Sequence, residues 1–178
     1  MVKTYYIDIS NFKIDNNDIE NFPTFRKEYL FSITDENRKK QSFFVWKLLD
    51  FAFKHNLPDD NYEFVNENGK ISIKNNKFYL SLSHSRNMVA VSISNNAVGV
   101  DVQIVENKIL KIKEKITNNL TADVEYLTRL WVNKESLYKA GVEGGFFNNI
   151  IFDNYGNKYV LSVCTPQKSV EFIRLKDL

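Results

Sequence analysis

The stretch Phe78-Tyr79-Leu80-Ser81-Leu82-Ser83-His84-Ser85-Arg86-Asn87-Met88-Val89-Ala90-Val91-Ser92-Ile93-Ser94-Asn95-Asn96-Ala97-Val98-Gly99-Val100-Asp101-Val102-Gln103 decides the fold. Three short runs, 78–83, 88–93 and 98–103, alternate or are rich in β-branched residues, which suits a pleated, buried surface. His-Ser-Arg-Asn and Ser-Asn-Asn separate them, and both are turn chemistries. Closely spaced strands with such connections pair antiparallel. Upstream, runs at 62–65 and 71–73 around Asn68-Gly69 and Asn75-Asn76 extend the same pattern.

The chain on either side changes period. Residues 4–9 form an opening strand and 23–30 a short helix. Thr34 is placed as an N-cap, with Asp35 and Glu36 in the first turn of a long helix to about residue 55. That helix carries Phe43, Phe44, Trp46, Leu48, Leu49, Phe51 and Phe53 on one broad face and ends before Pro58. After residue 103 the pattern predicts helices over 106–117 and 122–140, the second stopped by Gly141. Strands at 150–152, 158–164 and 170–173 follow, with Asn154-Tyr155-Gly156-Asn157 as a hairpin turn.

Strand, helices and strands therefore occur twice in order. The expectation is an α+β protein of two similar halves, 1–95 and 96–178, each a helix packed on a small, mainly antiparallel sheet. No Gly/Ser or Pro linker separates the halves at Asn95-Asn96, so they should pack tightly around a cleft.

The chain has 178 residues, is 43% hydrophobic and carries a formal charge of +2. That content supports a core, and the charge balance argues against a nucleic-acid binder. The single cysteine, Cys164, excludes an internal disulfide and reads as a buried strand residue. No window has the length of a membrane span and the start lacks a signal-peptide core, which points to a cytoplasmic protein.

Three residues break the pattern. Asp101 shares a strand face with Gln103 amid valines: it is either an ordinary water-facing position or a carboxylate held for a purpose. Lys134 falls within the apolar arc of Leu127, Leu130, Trp131, Leu137 and Tyr138, beside Glu135 and Lys139 four residues apart. A snorkelling lysine next to an exposed Glu-Lys pair is the bland account. His84 lies in a polar turn whose amides, hydroxyls, imidazole and guanidinium would suit a phosphate, although a loop histidine is often without function.

Together, Ser83-His84-Ser85, Gly99-Val100-Asp101-Val102 and Trp131-Val132-Asn133-Lys134-Glu135-Ser136-Leu137-Tyr138-Lys139-Ala140 resemble the motif set of the 4′-phosphopantetheinyl transferases. The last segment resembles that family's W-x-x-K-E-[AS]-x-x-K. Size and a central Gly-Val-Asp favour the monomeric surfactin-type branch, a pseudo-twofold pair of α+β halves, over the shorter, trimeric holo-acyl-carrier-protein-synthase branch. The resemblance implies transfer of the phosphopantetheine arm of coenzyme A to a serine of an acyl or peptidyl carrier protein, releasing 3′,5′-ADP. It implies Mg²⁺ held by Asp101, Gln103 and Glu135. Glu135 would also help deprotonate the serine, Lys139 would hold the pyrophosphate, and Lys134 would support the phosphate site. Gly69 and Lys70 would lie beside the adenine, Ser83 and His84 at the coenzyme A phosphates, and Arg26, Lys40 and Ser42 at the 3′-phosphate.

The chain departs from the pattern at Gln103, where many members have glutamate, and at Ile71, where proline is common. It is also short beyond Ala140. The Lys/Ile alternation in 106–116 is the candidate carrier-docking element; an amphipathic helix covering the sheet is the alternative. Two rivals remain: a non-catalytic coenzyme A-binding homologue, and a small metal-dependent nuclease.

Overall fold

A computed structural model describes residues 1–56, 62–67, 70–74, 78–118 and 122–178. The strands are β1 (Val2–Asp8), β2 (Phe64–Glu67), β3 (Lys70–Ile73), β4 (Tyr79–Ser85), β5 (Met88–Ser94), β6 (Gly99–Ile104), β7 (Phe146–Asn154), β8 (Asn157–Thr165) and β9 (Glu171–Arg174). The helices are α1 (Asn16–Ile19), α2 (Thr24–Ser32), α3 (Glu36–Asn56), α4 (Lys113–Ile116) and α5 (Val124–Ala140), with a 3-10 segment at Asn107–Ile112. The protein is α+β, with helices on small sheets in which antiparallel pairing predominates.

The first sheet has the order β4-β5-β1-β9 and the second β6-β8-β7; β2 and β3 pair by themselves. β1 is antiparallel to β5, with Tyr5 opposite Val91, and parallel to β9, with Tyr5 opposite Ile173. The last strand thus returns to the first sheet. Apart from β9, each main sheet runs first hairpin strand, second hairpin strand, opening strand, and in each the long helix comes between the opening strand and the hairpin.

Alternation explains how these sheets stack. Tyr5 and Ile7 of β1 and Val89, Val91 and Ile93 of β5 join Phe43, Phe44, Trp46, Leu48 and Leu49 of α3 in one core. The opposite faces of the same strands, at Val2, Tyr6, Met88 and Ala90, join Val100, Val102, Ile104, Tyr159, Leu161 and Val163 in another. Gly99, Asp101 and Gln103 lie on the remaining face of β6. A Cβ at Gly99 would stand 1.9 Å from Ser136 O, so that face lies directly under α5. The order of layers is therefore α3, first sheet, second sheet, α5, and the first sheet is buried on both sides.

Several local expectations are corrected. The cap of α3 is Asp35 and not Thr34: Asp35 Oδ1 accepts from the Arg38 N–H at 2.7 Å. The segment 106–117 is a 3-10 stretch followed by a single α turn. A three-residue period sets Ile109 and Ile112 on one side, with Ile109 buried, and leaves Leu110 46% exposed. His84 belongs to β4, and the turn is Arg86-Asn87, with Arg86 at φ 53°. The buried stripe of α5 is Leu127, Thr128, Val132 and Ser136, whereas Tyr138 is 83% exposed. The close approach at Gly99 admits only small side chains there, so the bulky arc rotates to the flanks.

Other expectations hold. Gly141 ends α5 at φ 66°, its N–H bonded to the carbonyls of Leu137 and Tyr138. Tyr155 and Gly156 make the β7–β8 turn with φ of 48° and 76°. Cys164 is fully buried, and burial pushes its thiol pKa up. Among the described residues, no helix is long and apolar enough to cross a membrane.

Candidate functional site

The middle of β6 brings the first and second sheets and α5 together. Asp101 is only 7% exposed, which overturns the water-facing alternative. Its Oδ1 accepts from Lys139 Nζ at 2.7 Å and from Ser83 Oγ at 2.8 Å. Pairing with a cation and a hydroxyl offsets the cost of placing a carboxylate among valines. Lys139 also donates to Val100 O at 3.0 Å and Leu82 O at 3.4 Å, so its three protons have three acceptors. Lys139 therefore pairs with Asp101 and not with Glu135 four residues back.

Glu135 shares the inward side of α5 with Val132 and Lys139, at offsets of three and four, and is half-buried. Gln103 is half-buried on the Asp101 face of β6. Lys134 points away: it is exposed, its Nζ 3.5 Å from Lys115 O. The expected turn of Lys134 toward a cleft is corrected: its ammonium sits at Lys115 O, across the helix from the buried Val132 and Ser136.

A group of cations acts on the neighbouring His84. The His84 residue is exposed, yet its ring is crowded enough to depress the imidazole pKa below the ordinary value. Burial is the first cause; Lys139, Arg38 and Arg26 add to it and Asp101 opposes it. Three arginine and lysine side chains, from α2, α3 and α5, thus act on one imidazole.

Arg26 of α2 is 7% exposed and bonds to Ser42 O and, at 2.6 Å, to Ser42 Oγ. Its guanidinium lies 5.1 Å from the Tyr29 ring centre and 5.2 Å from that of Trp46. Burial brings its pKa down to about 10. Arg26 Nε is buried with no hydrogen-bond partner among the described residues. A buried guanidinium with an orphaned N–H and, among the described residues, no carboxylate partner suits an anion.

The structure therefore brings Arg26, Ser42, His84, Lys139 and Asp101 into one neighbourhood. Lys40 turns elsewhere and donates to Ser10 O at 3.1 Å. Ser83 is buried and faces Asp101. Gly69 lies outside the described residues, and Lys70 opens β3.

Sequence reasoning passed over Arg38 and Ser81, and it read Ser85 only as part of the Ser83-His84-Ser85 motif. Ser81, Ser83 and Ser85 alternate along β4, and their hydroxyls accept from the N–H groups of Val100, Val102 and Ile104 at 2.9, 3.1 and 3.1 Å. The i, i+2, i+4 spacing was visible in the sequence. Their partners, on the edge of another sheet, were not.

Among the described residues no three His, Cys, Asp or Glu side chains gather as a metal cage. The oxygens of Asp101, Gln103 and Glu135 are hard donors. They fit a Mg²⁺ ion that takes one or two carboxylates and completes its shell with substrate phosphate and water. A cavity of about 740 Å³ lies away from this cluster, against Asp8, Asn154, Tyr155 and Arg174. Three of its polar side chains already bond one another, Asn154 to Asp8 and Arg174 to Asn154 at 2.5 Å, so the charged cluster is the better candidate site. No protein-family model matches the chain, and no curated protein matches its sequence.

Proposed function

We propose that the protein is a phosphopantetheinyl transferase that moves the phosphopantetheine arm of coenzyme A to a carrier-protein serine. The observation that carries this is the placement of the buried Asp101, paired with Lys139, near His84 and the cations Arg26 and Arg38. Transfer of such an arm needs a pyrophosphate held in place and its charge neutralised. On this reading the two halves are related by a pseudo-twofold and the protein acts as a monomer in the cytoplasm.

Asp101, Gln103 and Glu135 would hold Mg²⁺, which supplies charge neutralisation at the phosphates when bound. Arg26, anchored by Ser42, binds a peripheral phosphate. His84 and Lys139 face the pyrophosphate, with Lys139 also holding Asp101 in place. Glu135, free of a hydrogen bond among the described residues, accepts the proton of the serine directly or through water. The exposed Leu110 and the lysines beside it form the surface offered to an acidic carrier.

A second reading, coenzyme A binding without turnover, is favoured by one observation: Lys139 already satisfies Asp101. Intact-protein mass spectrometry separates the two. An apo-carrier incubated with coenzyme A, Mg²⁺ and the protein should gain about 340 Da, the mass of the arm. The gain should vanish with Glu135→Ala. Coenzyme A binding with no gain across fatty-acid, polyketide and peptide carriers would establish the second reading.

A further inference from the structure

The three hydroxyls of β4 make the same bond to β6 but end differently. Ser81, Ser83 and Ser85 are each under 10% exposed, and each accepts one backbone N–H from the edge of the second sheet. They fill the place of a neighbouring strand, leaving no edge N–H of that stretch unpaired. A hydroxyl has one proton to give. Ser83 gives its proton to Asp101 Oδ1 at 2.8 Å. Neither Ser81 nor Ser85 has a carboxylate partner among the described residues.

We infer that Ser83 is a positioning residue for Asp101, and that it does not bind coenzyme A phosphate. This rests on the proposed function, in which Asp101 is a metal ligand. Ser83 and Lys139 both bond to Oδ1, and Oδ2 makes no hydrogen bond among the described residues. The two donors therefore select the oxygen that Asp101 presents to a cation. Because the same hydroxyl accepts from Val102 N, the orientation of the carboxylate is tied to the register of β4 against β6. A metal ligand aimed by an outer partner is a familiar arrangement.

The three serines supply their own controls. Ser81→Ala and Ser85→Ala each remove one acceptor from the joint; Ser83→Ala removes an acceptor and also the donor to Asp101. Mn²⁺ affinity, read in the presence of coenzyme A from the electron paramagnetic resonance of free Mn²⁺, is the measurement. Ser83→Ala should weaken binding about 10-fold or more, and Ser83→Thr should restore it to within about threefold of the unaltered chain. Ser81→Ala and Ser85→Ala should bind as the unaltered chain does. Equal losses in all three alanine variants would make the role merely structural and overturn the inference, as would unchanged binding by Ser83→Ala. An unaltered chain that takes up no Mn²⁺ would overturn the metal reading of the site instead. Crystal structures of the unaltered chain and Ser83→Ala then judge Ser83 alone. A carboxylate that turns away from Lys139 while β6 keeps its place upholds the inference, and one that does not move overturns it.

Discussion

His84 is the residue whose chemistry reports most directly on its neighbours. Its ring is crowded and stands near Lys139 of α5, Arg38 of α3 and Arg26 of α2, while Asp101 of β6 favours the charged form. Its folded pKa therefore lies below the unfolded value of 6.5. Just below that value the unfolded chain binds more protons than the folded one. The stability this group contributes is present above pH 6.5 and lost as pH falls. Titration of the His84 ring by nuclear magnetic resonance should give a value below 6.5 in the free protein, rising when 3′,5′-ADP is added. A value that ignores the nucleotide would separate His84 from the anion site. Residue identity was legible here, because the histidine stood out in a polar run. Its surroundings were not, since the three cations come from helices distant in sequence.

At the scale of elements, β6 and α5 make the closest approach at any glycine among the described residues. The atoms nearest a Cβ at Gly99 are Ser136 O at 1.9 Å and Ala140 N at 2.5 Å, both backbone. No rotamer change relieves that clash, so Gly99→Ala must push α5 outward and with it Lys139 and Glu135. A loss of about 3 kcal/mol or more is expected in urea unfolding, at the upper end for overpacking. The β7–β8 turn predicts the opposite sign. Tyr155 holds φ 48° and is 78% exposed, so its ring contributes little to offset the strain. Tyr155→Asn creates the Asn-Gly pair such a turn prefers and should raise stability by about 0.5–1 kcal/mol, checked by the same unfolding curves. The periodicity of α5 marked it as a helix but misjudged its inward face. Hydrophobicity ranks Leu and Tyr as buried, whereas close approach to a glycine admits Val, Thr and Ser. The Lys/Ile alternation of 106–117 was likewise read at the wrong period, 3.6 in place of three.

For the whole molecule, the shared core between the sheets predicts one cooperative unit. Tyr6 and Met88 of the first sheet pack with Val102 and Leu161 of the second, and Arg174 of the returning strand bonds Asn154 at the end of β7. Trp46 lies in the core under α3 and Trp131 on α5, one reporter per outer layer. Fluorescence of Trp131→Phe and Trp46→Phe variants, each set against circular dichroism of the same variant, should give coincident unfolding midpoints. Separate midpoints would show that the halves unfold independently. The sequence by itself determined the α+β class, most strands, the long aromatic helix, the stop at Gly141 and the residues worth suspecting. These follow from local periodicity and turn chemistry, which act over a few residues. Only the tertiary structure decided that Lys139 pairs with Asp101, that Lys134 turns outward, that three serines join two sheets, and that β9 returns beside β1. Each of these depends on which edges and faces meet in space, and no local pattern carries that.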